Sequence, residues 1–245
     1  MFYEKEEIIS FYDLDANGDV KLTALLKYMN EAAFYNAEKL GIGFDKTVEF
    51  GLVFVIQRIG IRLFKAPELN QKVTVRTWPG ETTRSIFKRY GDLRDENGNK
   101  LIEWESLWVL IDIEARKIKR PSALPIEIPQ YGKEDVAVEA RKIILPEERE
   151  SCASYDHTVK FNELDINMHM NNAIYADLIA NVLALTASPP IRTWSEIHFN
   201  YVHEAKLGDQ VVVSCDQVAG SLHVTGSCGE KTIFTATIDY EQREE

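Results

Sequence analysis

The chain is short of the residues that staple, anchor or charge a protein positively. Of its 245 residues only three are cysteines, Cys152, Cys215 and Cys228, an odd number with no CxxC pair. That excludes a disulfide framework and suits a reducing compartment; each thiol reads as packing or inert rather than as a nucleophile. No apolar run approaches the roughly 20 residues of a membrane-spanning helix. There is no P-loop, no GxGxxG after a strand and no GxSxG, so nucleotide-dependent and serine-hydrolase chemistry lack their minimal parts. The five histidines have no zinc spacing, and neither metal nor cofactor is expected. Basic residues number 28 against 39 acidic ones, a net charge of −11 that argues against nucleic acid as a partner. The start, Met1-Phe2-Tyr3-Glu4-Lys5-Glu6-Glu7, has no basic n-region and no Arg/Ser-rich transit character, so a cytoplasmic location and no membrane partner are expected.

What the chain does have is a hydrophobic fraction of 45%, ample for a packed core, and one organising stretch, Asn162 to Asn172. There Asp165, Asn167 and His169 fall at every second position. Tyr175, Leu178, Ile179, Val182 and Leu183 follow at helical spacing. A polar loop thus delivers a carboxylate, an amide and an imidazole to the start of an apolar helix, whose free N–H groups can hold an oxygen that gains charge in acyl transfer. Alone, the same stretch also reads as a turn of Asp and Asn carrying a solvated His.

An internal repeat adds weight to the first reading. Asp13-Leu14-Asp15-Ala16-Asn17-Gly18-Asp19 precedes a helix with Leu22, Leu25, Leu26 and Met29 on one face. Asp15 answers Asp165, Asn17 answers Asn167, and Asp19 takes the place of His169. Ile59 to Leu69 then aligns without a gap to Ile197 to Leu207, which sets Ala66 opposite Glu204. The Asp13–Gly18 phrase imitates a calcium loop, but Ala24 stands where the bidentate Glu is needed, and calcium is rejected.

Leu164-Asp165-Ile166-Asn167-Met168-His169-Met170-Asn171-Asn172 resembles the Asp-x-Asn-x-His-x-x-Asn signature of the acyl-ACP thioesterases. Tyr201-Val202-His203-Glu204 is similar to that family's second block, a strand ending in the catalytic Glu. The resemblance spans Tyr3 to Tyr240. It implies an α+β fold of two tandem hot-dog domains, each a long central helix wrapped by an antiparallel sheet. It also implies a catalytic set of Asp165, Asn167, His169 and Glu204, and an acyl carrier protein bearing a fatty acyl chain as partner. Where some members carry Cys after the Glu, this chain has Ala205, which removes a cysteine mechanism at that position.

In this reading Glu204 is the general base on water, helped by His169. Direct carboxylate attack through an anhydride stays open, as does protonation of the leaving thiolate by His169. Asn167 orients the water or donates to the thioester oxygen, and Asp165 holds the loop and the helix start. The first half, lacking the His and the Glu, is expected to bind the acyl chain along its helix, at Leu25 and Met29. The densest basic run, Arg116-Lys117-Ile118-Lys119-Arg120, is the candidate docking patch for an acidic carrier, though it also reads as a solvated turn. An acyl-CoA thioesterase and a non-catalytic acyl-thioester-binding module are the alternatives, and the resemblance leaves room for a homodimer.

Domains are expected at 1–117 and 151–245, joined by a Pro-rich, charged linker at 118–150. In the first half the reading places strands at Glu7–Tyr12, Leu52–Phe64, Lys72–Trp78, Ser85–Asp92 and Leu101–Asp112. The first helix runs from Lys21 to Leu40 with Gly41 as its cap, and Asn97-Gly98 turns the last two strands. In the second half strands are expected at Tyr155–Phe161, Thr193–His203, Gln210–Gln217, Leu222–Cys228 and Lys231–Tyr240. Their turns fall at Ala219-Gly220 and Gly229-Glu230. The helix from Asn172 to Thr186 is stopped by Ser188-Pro189-Pro190, and Glu241 to Glu245 are expected to fray.

Overall fold

The computed structural model describes residues 2–145, 148–186, 192–218 and 220–242. Ser188-Pro189-Pro190, Pro146, Ala219 and the last three residues of the tail lie outside them. The chain divides into two compact units, Met1–Ala140 and Arg141–Glu245.

The first unit contains β1 (Tyr3–Ile8), α1 (Leu22–Lys39), α2 (Phe44–Glu49), β2 (Leu52–Leu63), β3 (Lys72–Thr83), β4 (Ile86–Asp95), β5 (Lys100–Asp112) and β6 (Lys117–Lys119). Its sheet runs β1-β3-β4-β5-β2, with β6 beside β5, and each of these pairings is antiparallel. Helix α1 buries Leu25, Leu26, Met29, Ala32 and Ala33. Gly41 ends it at φ +74°, a left-handed position that costs Gly little, and the Gly41 and Ile42 N–H groups close back on Glu38 and Ala37. Gly98, at φ +80°, makes the expected turn between β4 and β5.

The second unit contains β7 (Glu150–Thr158), α3 (Ile174–Ala184), β8 (Arg192–Tyr201), β9 (Gln210–Val218), β10 (Ser221–Cys228) and β11 (Lys231–Gln242). The order β8-β11-β10-β9-β7 is again antiparallel. Val211, Val213 and Cys215 are buried on alternate positions of β9, as a two-residue period requires of a sheet covered on one face. Tyr175, Leu178, Ile179 and Val182 of α3 are buried too. At Gly226 a Cβ would stand 2.0 Å from the Phe234 ring, so the aromatic packs directly on backbone. The α+β hot-dog architecture expected from the sequence is therefore present twice. No helix among the described residues is long and apolar enough to cross a membrane.

Several elements differ from the sequence reading for local reasons. Strand β1 ends at Ile8 rather than Tyr12. The Asp13 carboxylate accepts from the Ser10 N–H and hydroxyl at 2.7 Å and draws residues 11–13 into a 3₁₀ turn. Glu163 does the same to residues 161–163 through the Lys160 N–H, so β7 ends at Thr158 rather than Phe161. Strand β3 continues through Pro79 to Thr83 because a register shift between Pro79 and Thr82 absorbs the missing donor. The six-residue α2 was not foreseen. Strand β8 stops at Tyr201, so His203 and Glu204 lie beyond the strand rather than on it.

The Pro-rich segment is largely without regular structure, but it is packed. Leu124, Val136, Val138 and Ala140 are buried. Its backbone amides lack strand partners and need acceptors. Buried carboxylates of β5 supply them: Glu103 accepts from the Ala137 and Val138 N–H groups at 3.0 and 2.9 Å, and Glu105 from Ala140 at 2.6 Å. Burial holds the Glu105 carboxyl above the usual glutamate range, while the Ala140 N–H and Lys88 pull the other way. A carboxyl raised in the folded state contributes fully below its unfolded value and loses that contribution as pH climbs through the folded one. Between about pH 4 and pH 7, E105Q should therefore gain stability relative to the wild type. Denaturation midpoints across that range check this; parallel curves would contradict it.

Candidate active site

Residues 164–170 form a closed loop, its ends joined by a Leu164–Met170 bridge. Asp165 Oδ1 accepts from the Asn167 N–H at 2.8 Å and the His169 N–H at 3.4 Å. The Asp165 N–H donates to His169 O at 2.8 Å, and Met168 N–H to Asp165 O at 3.0 Å. Closing the ring sets Met168 at φ +62°, a left-handed conformation that is costly for a side chain with a Cβ. The expectation that Asp165 holds the loop has its physical form here: one carboxylate gathers two backbone donors.

A second set of bonds ties this loop to a segment 35 residues further on. The Met170 N–H donates to Ala205 O at 2.8 Å, and His169 bridges Lys206. Ala205 is fully buried, which fixes Glu204 beside it. In consequence His169 Nε2 and Glu204 Oε2 stand 3.1 Å apart, with the imidazole 18% and the carboxylate 34% exposed. That is within reach of proton exchange and leaves an open side for substrate. Asn167 is exposed at the loop tip, held through its backbone N–H. The structure thus brings His169 and Glu204 together, makes Asp165 their scaffold and leaves Asn167 facing solvent.

Other groups complete the support. Asn171 Oδ1 accepts from the Ala173 N–H at 3.0 Å, so one amide at the start of α3 is already capped. Glu163 binds His157 Nε2 at 2.9 Å, and its backbone O accepts from the Asn171 N–H at 2.8 Å. Tyr201 donates its hydroxyl to Asn172 O at 3.2 Å, and the Tyr175 hydroxyl bonds the Ala205 backbone. Burial raises both phenols above the usual range, so they stay protonated. Tyr175 is readable from sequence only as part of an apolar stripe; a buried Tyr in place of Phe was the available signal of a polar partner.

The first unit repeats the loop with different chemistry. Asp15 Oδ1 accepts from the Asn17 and Asp19 N–H groups at 2.8 and 3.1 Å, and the Asp15 N–H donates to Asp19 O at 2.8 Å. Gly18 takes the left-handed position at φ +84°. Strands β2 and β8 end at the aligned residues Leu63 and Tyr201, and β3 and β9 begin at Lys72 and Gln210. The places of His169 and Glu204 hold Asp19 and Ala66.

The remaining candidates lie elsewhere. Leu25 and Met29 are 2% and 4% exposed within the packed face of α1. Arg116, Lys117 and Arg120 are exposed, Arg116 in a turn at φ +54°, while Lys119 is paired with Asp112 at 2.9 Å. All three cysteines are free, and burial pushes the Cys215 thiol up to about 12, far from thiolate chemistry.

With this geometry in view, the fold matches that of known tandem hot-dog proteins. An acyl-ACP thioesterase structure from Bacteroides thetaiotaomicron superposes with a TM-score of 0.85 at 21% identity, covering 98% of both chains. The 12:0-ACP thioesterase of Umbellularia californica gives 0.79 at 18% identity, covering 98% of this chain and 97% of that one. The sequence itself matches the acyl-ACP thioesterase N-terminal domain over residues 1–123 and the C-terminal domain over residues 147–242. The chain belongs to the acyl-ACP thioesterase family. Among curated relatives, the chloroplastic dodecanoyl-[acyl-carrier-protein] hydrolase of Cinnamomum camphora is 27% identical over 73% of this chain and 50% of its own length. The palmitoyl-acyl carrier protein thioesterase of Arabidopsis thaliana is 26% identical over 68% and 43%. The chain spans about half the length of the curated relatives it matches.

The repeated loop yields a direct test of the strain at Met168. M168G, which copies Gly18, should raise stability by about 0.5–1 kcal/mol: relief of a left-handed residue is worth about 1–2 kcal/mol and the added chain entropy of Gly offsets about 0.5–1 kcal/mol. Urea unfolding measures this. A loss of stability would show instead that the Met168 side chain contributes more contact than its backbone costs.

Proposed function

We propose that the protein hydrolyses the thioester of an acyl-[acyl-carrier-protein], releasing a free fatty acid and the carrier thiol. The observation that supports this reading most is the His169–Glu204 pair, 3.1 Å apart on a loop braced by Asp165. In the proposed mechanism Glu204 accepts a proton from water as the water oxygen bonds to the thioester carbon. His169, with Nε2 toward the carboxylate, orients Glu204, and the protonated Glu204 passes that proton to the departing sulfur as the C–S bond breaks. The Asn167 amide donates to the oxygen that becomes negative in the tetrahedral intermediate, and its exposed place at the loop tip suits contact with a substrate.

We assign catalysis to the second unit and chain binding to the first. Asp19 and Ala66 give the first unit no His–carboxylate pair at the matching places, while α1 keeps an apolar face that includes Leu25 and Met29. The carrier docks on Arg116, Lys117, Lys119 and Arg120, with Lys119 contributing least because Asp112 already neutralises it. The reaction is placed in the cytoplasm, where three free cysteines stay reduced.

E204A and H169A should each lower kcat for acyl-ACP by about 10²–10⁴-fold with the fold retained, the usual range for a lost general base. Wild-type turnover in a folded E204A protein would reject the assignment. A second experiment addresses the donor: reversing the charge of Arg116, Lys117 and Arg120 should raise KM for acyl-ACP more than for acyl-CoA, and added salt should weaken the wild-type enzyme on acyl-ACP. Equal effects on the two substrates would favour acyl-CoA as the donor.

A further inference from the structure

The outer face of the second sheet carries a polar array that the proposed reaction does not use. Register places His223 of β10, Thr237 of β11 and His198 of β8 in one cross-strand row. They lie on the face opposite Leu222, Ile238 and Ile197, because successive strand residues point to opposite sides. Beside the row, Ser221 and Asp239 are hydrogen-bonded to each other. Segment 141–144 is fastened over this face by Asn200, which accepts from the Ile143 N–H at 2.9 Å and donates to Arg141 O at 3.0 Å. Sheet and segment border a half-open cavity of about 180 Å³, floored by Ser221, His223, Thr237 and Asp239 and walled by residues 141–144.

The polar atoms around this cavity are incompletely matched. Thr237 is only 6% exposed, and its Oγ1 has no hydrogen-bond partner. The buried Nδ1 of His223 has none either, nor has Nδ1 of His198 behind it. Buried hydroxyl and imidazole groups normally find partners, and one left without is destabilising because it has lost its bonds to water. Burial holds both imidazoles below the usual histidine range, so they are neutral at pH 7. Arg141 lies 3.4 Å from Asp239, and Lys142 adds a second cation, so the lining keeps one positive charge in excess.

These features select among anions. A tetrahedral oxyanion can accept from Arg141, Lys142 and the Thr237 hydroxyl. Asp239 would repel an anion that offers only acceptors, whereas a hydrogen phosphate has a P–OH to donate to that carboxylate. Sulfate has no such proton at neutral pH. We propose that this cavity is a binding site for a phosphate group, free or at the head of a small organic phosphate, separate from the His169–Glu204 site.

The test follows the His223 ring protons by NMR in the full chain at constant ionic strength. Inorganic phosphate, glycerol 3-phosphate and sulfate are titrated separately. Phosphate should give a saturable shift, and sulfate should bind at least ten-fold more weakly. T237V and the double variant R141A/K142A should each weaken phosphate at least ten-fold, while acyl-ACP hydrolysis without phosphate stays unchanged. The double variant alters an exposed segment and remains informative even if T237V does not fold. Glycerol 3-phosphate binding ten-fold tighter than phosphate would support an organic phosphate as the source; equal affinity would support the free anion. Absence of a saturable shift, sulfate binding as tightly as phosphate, or unchanged affinity in the double variant would overturn the proposal.

Discussion

The second unit depends on one carboxylate. Asp165 gathers the N–H groups of Asn167 and His169, and the loop so closed is held to Ala205 through Met170. Each bond is modest, worth about 0.5–1.5 kcal/mol net between neutral groups and about 1.5–3 kcal/mol where a charged group takes part. Their effect is geometric. Short polar loops are conformationally free, and an acid–base pair needs its partners held to fractions of an ångström. A charged acceptor that fixes two donors turns the loop into a rigid ring, and the backbone bond to a fully buried Ala205 gives that ring a fixed seat.

The first unit shows that this device belongs to the fold and not to the chemistry. Asp15 builds the same ring with the same donors, yet Asp19 stands where His169 would be. The two copies also resolve the ring's tight turn differently: Gly18 takes the left-handed residue at little cost, while Met168 takes it with a side chain. An exposed Met in such a conformation is a local strain retained beside the site, and strain of this kind tends to gather where function constrains the chain.

The units also differ on the sheet faces away from their helices. In the first, the buried carboxylates Glu103 and Glu105 capture backbone amides of the Pro-rich segment, which thereby packs although it forms almost no regular structure. In the second, the corresponding cover is short, Asn200 does the fastening, and the His223 imidazole and the hydroxyls of Ser221 and Thr237 line the space beneath. A continuous charged clamp in one unit and a polar cavity in the other follow from which side chains the outward strand positions carry.

By itself the sequence determined the repeat, the two longer helices and most strands, because periodicity and turn residues are local properties: the stripe from Tyr175 to Val182, the Gly41 cap and the Asn97-Gly98 turn were all legible. It also marked Asp165, Asn167, His169 and Glu204 through two short phrases. Only the tertiary structure decided what they do to one another. That His169 meets Glu204 at 3.1 Å, and that Asp165 serves the backbone, depends on the Met170–Ala205 bond between segments remote in sequence. The same holds where local reading failed. Strand β1 stops early because the Asp13 side chain competes for backbone donors, and Pro79 is accommodated by a shift in pairing with β4. The Pro-rich segment is ordered by acids on β5 more than 30 residues away. Hydrogen-bond partners supplied from distant parts of the chain leave no periodic trace in the sequence, and that is why these features had to come from the fold.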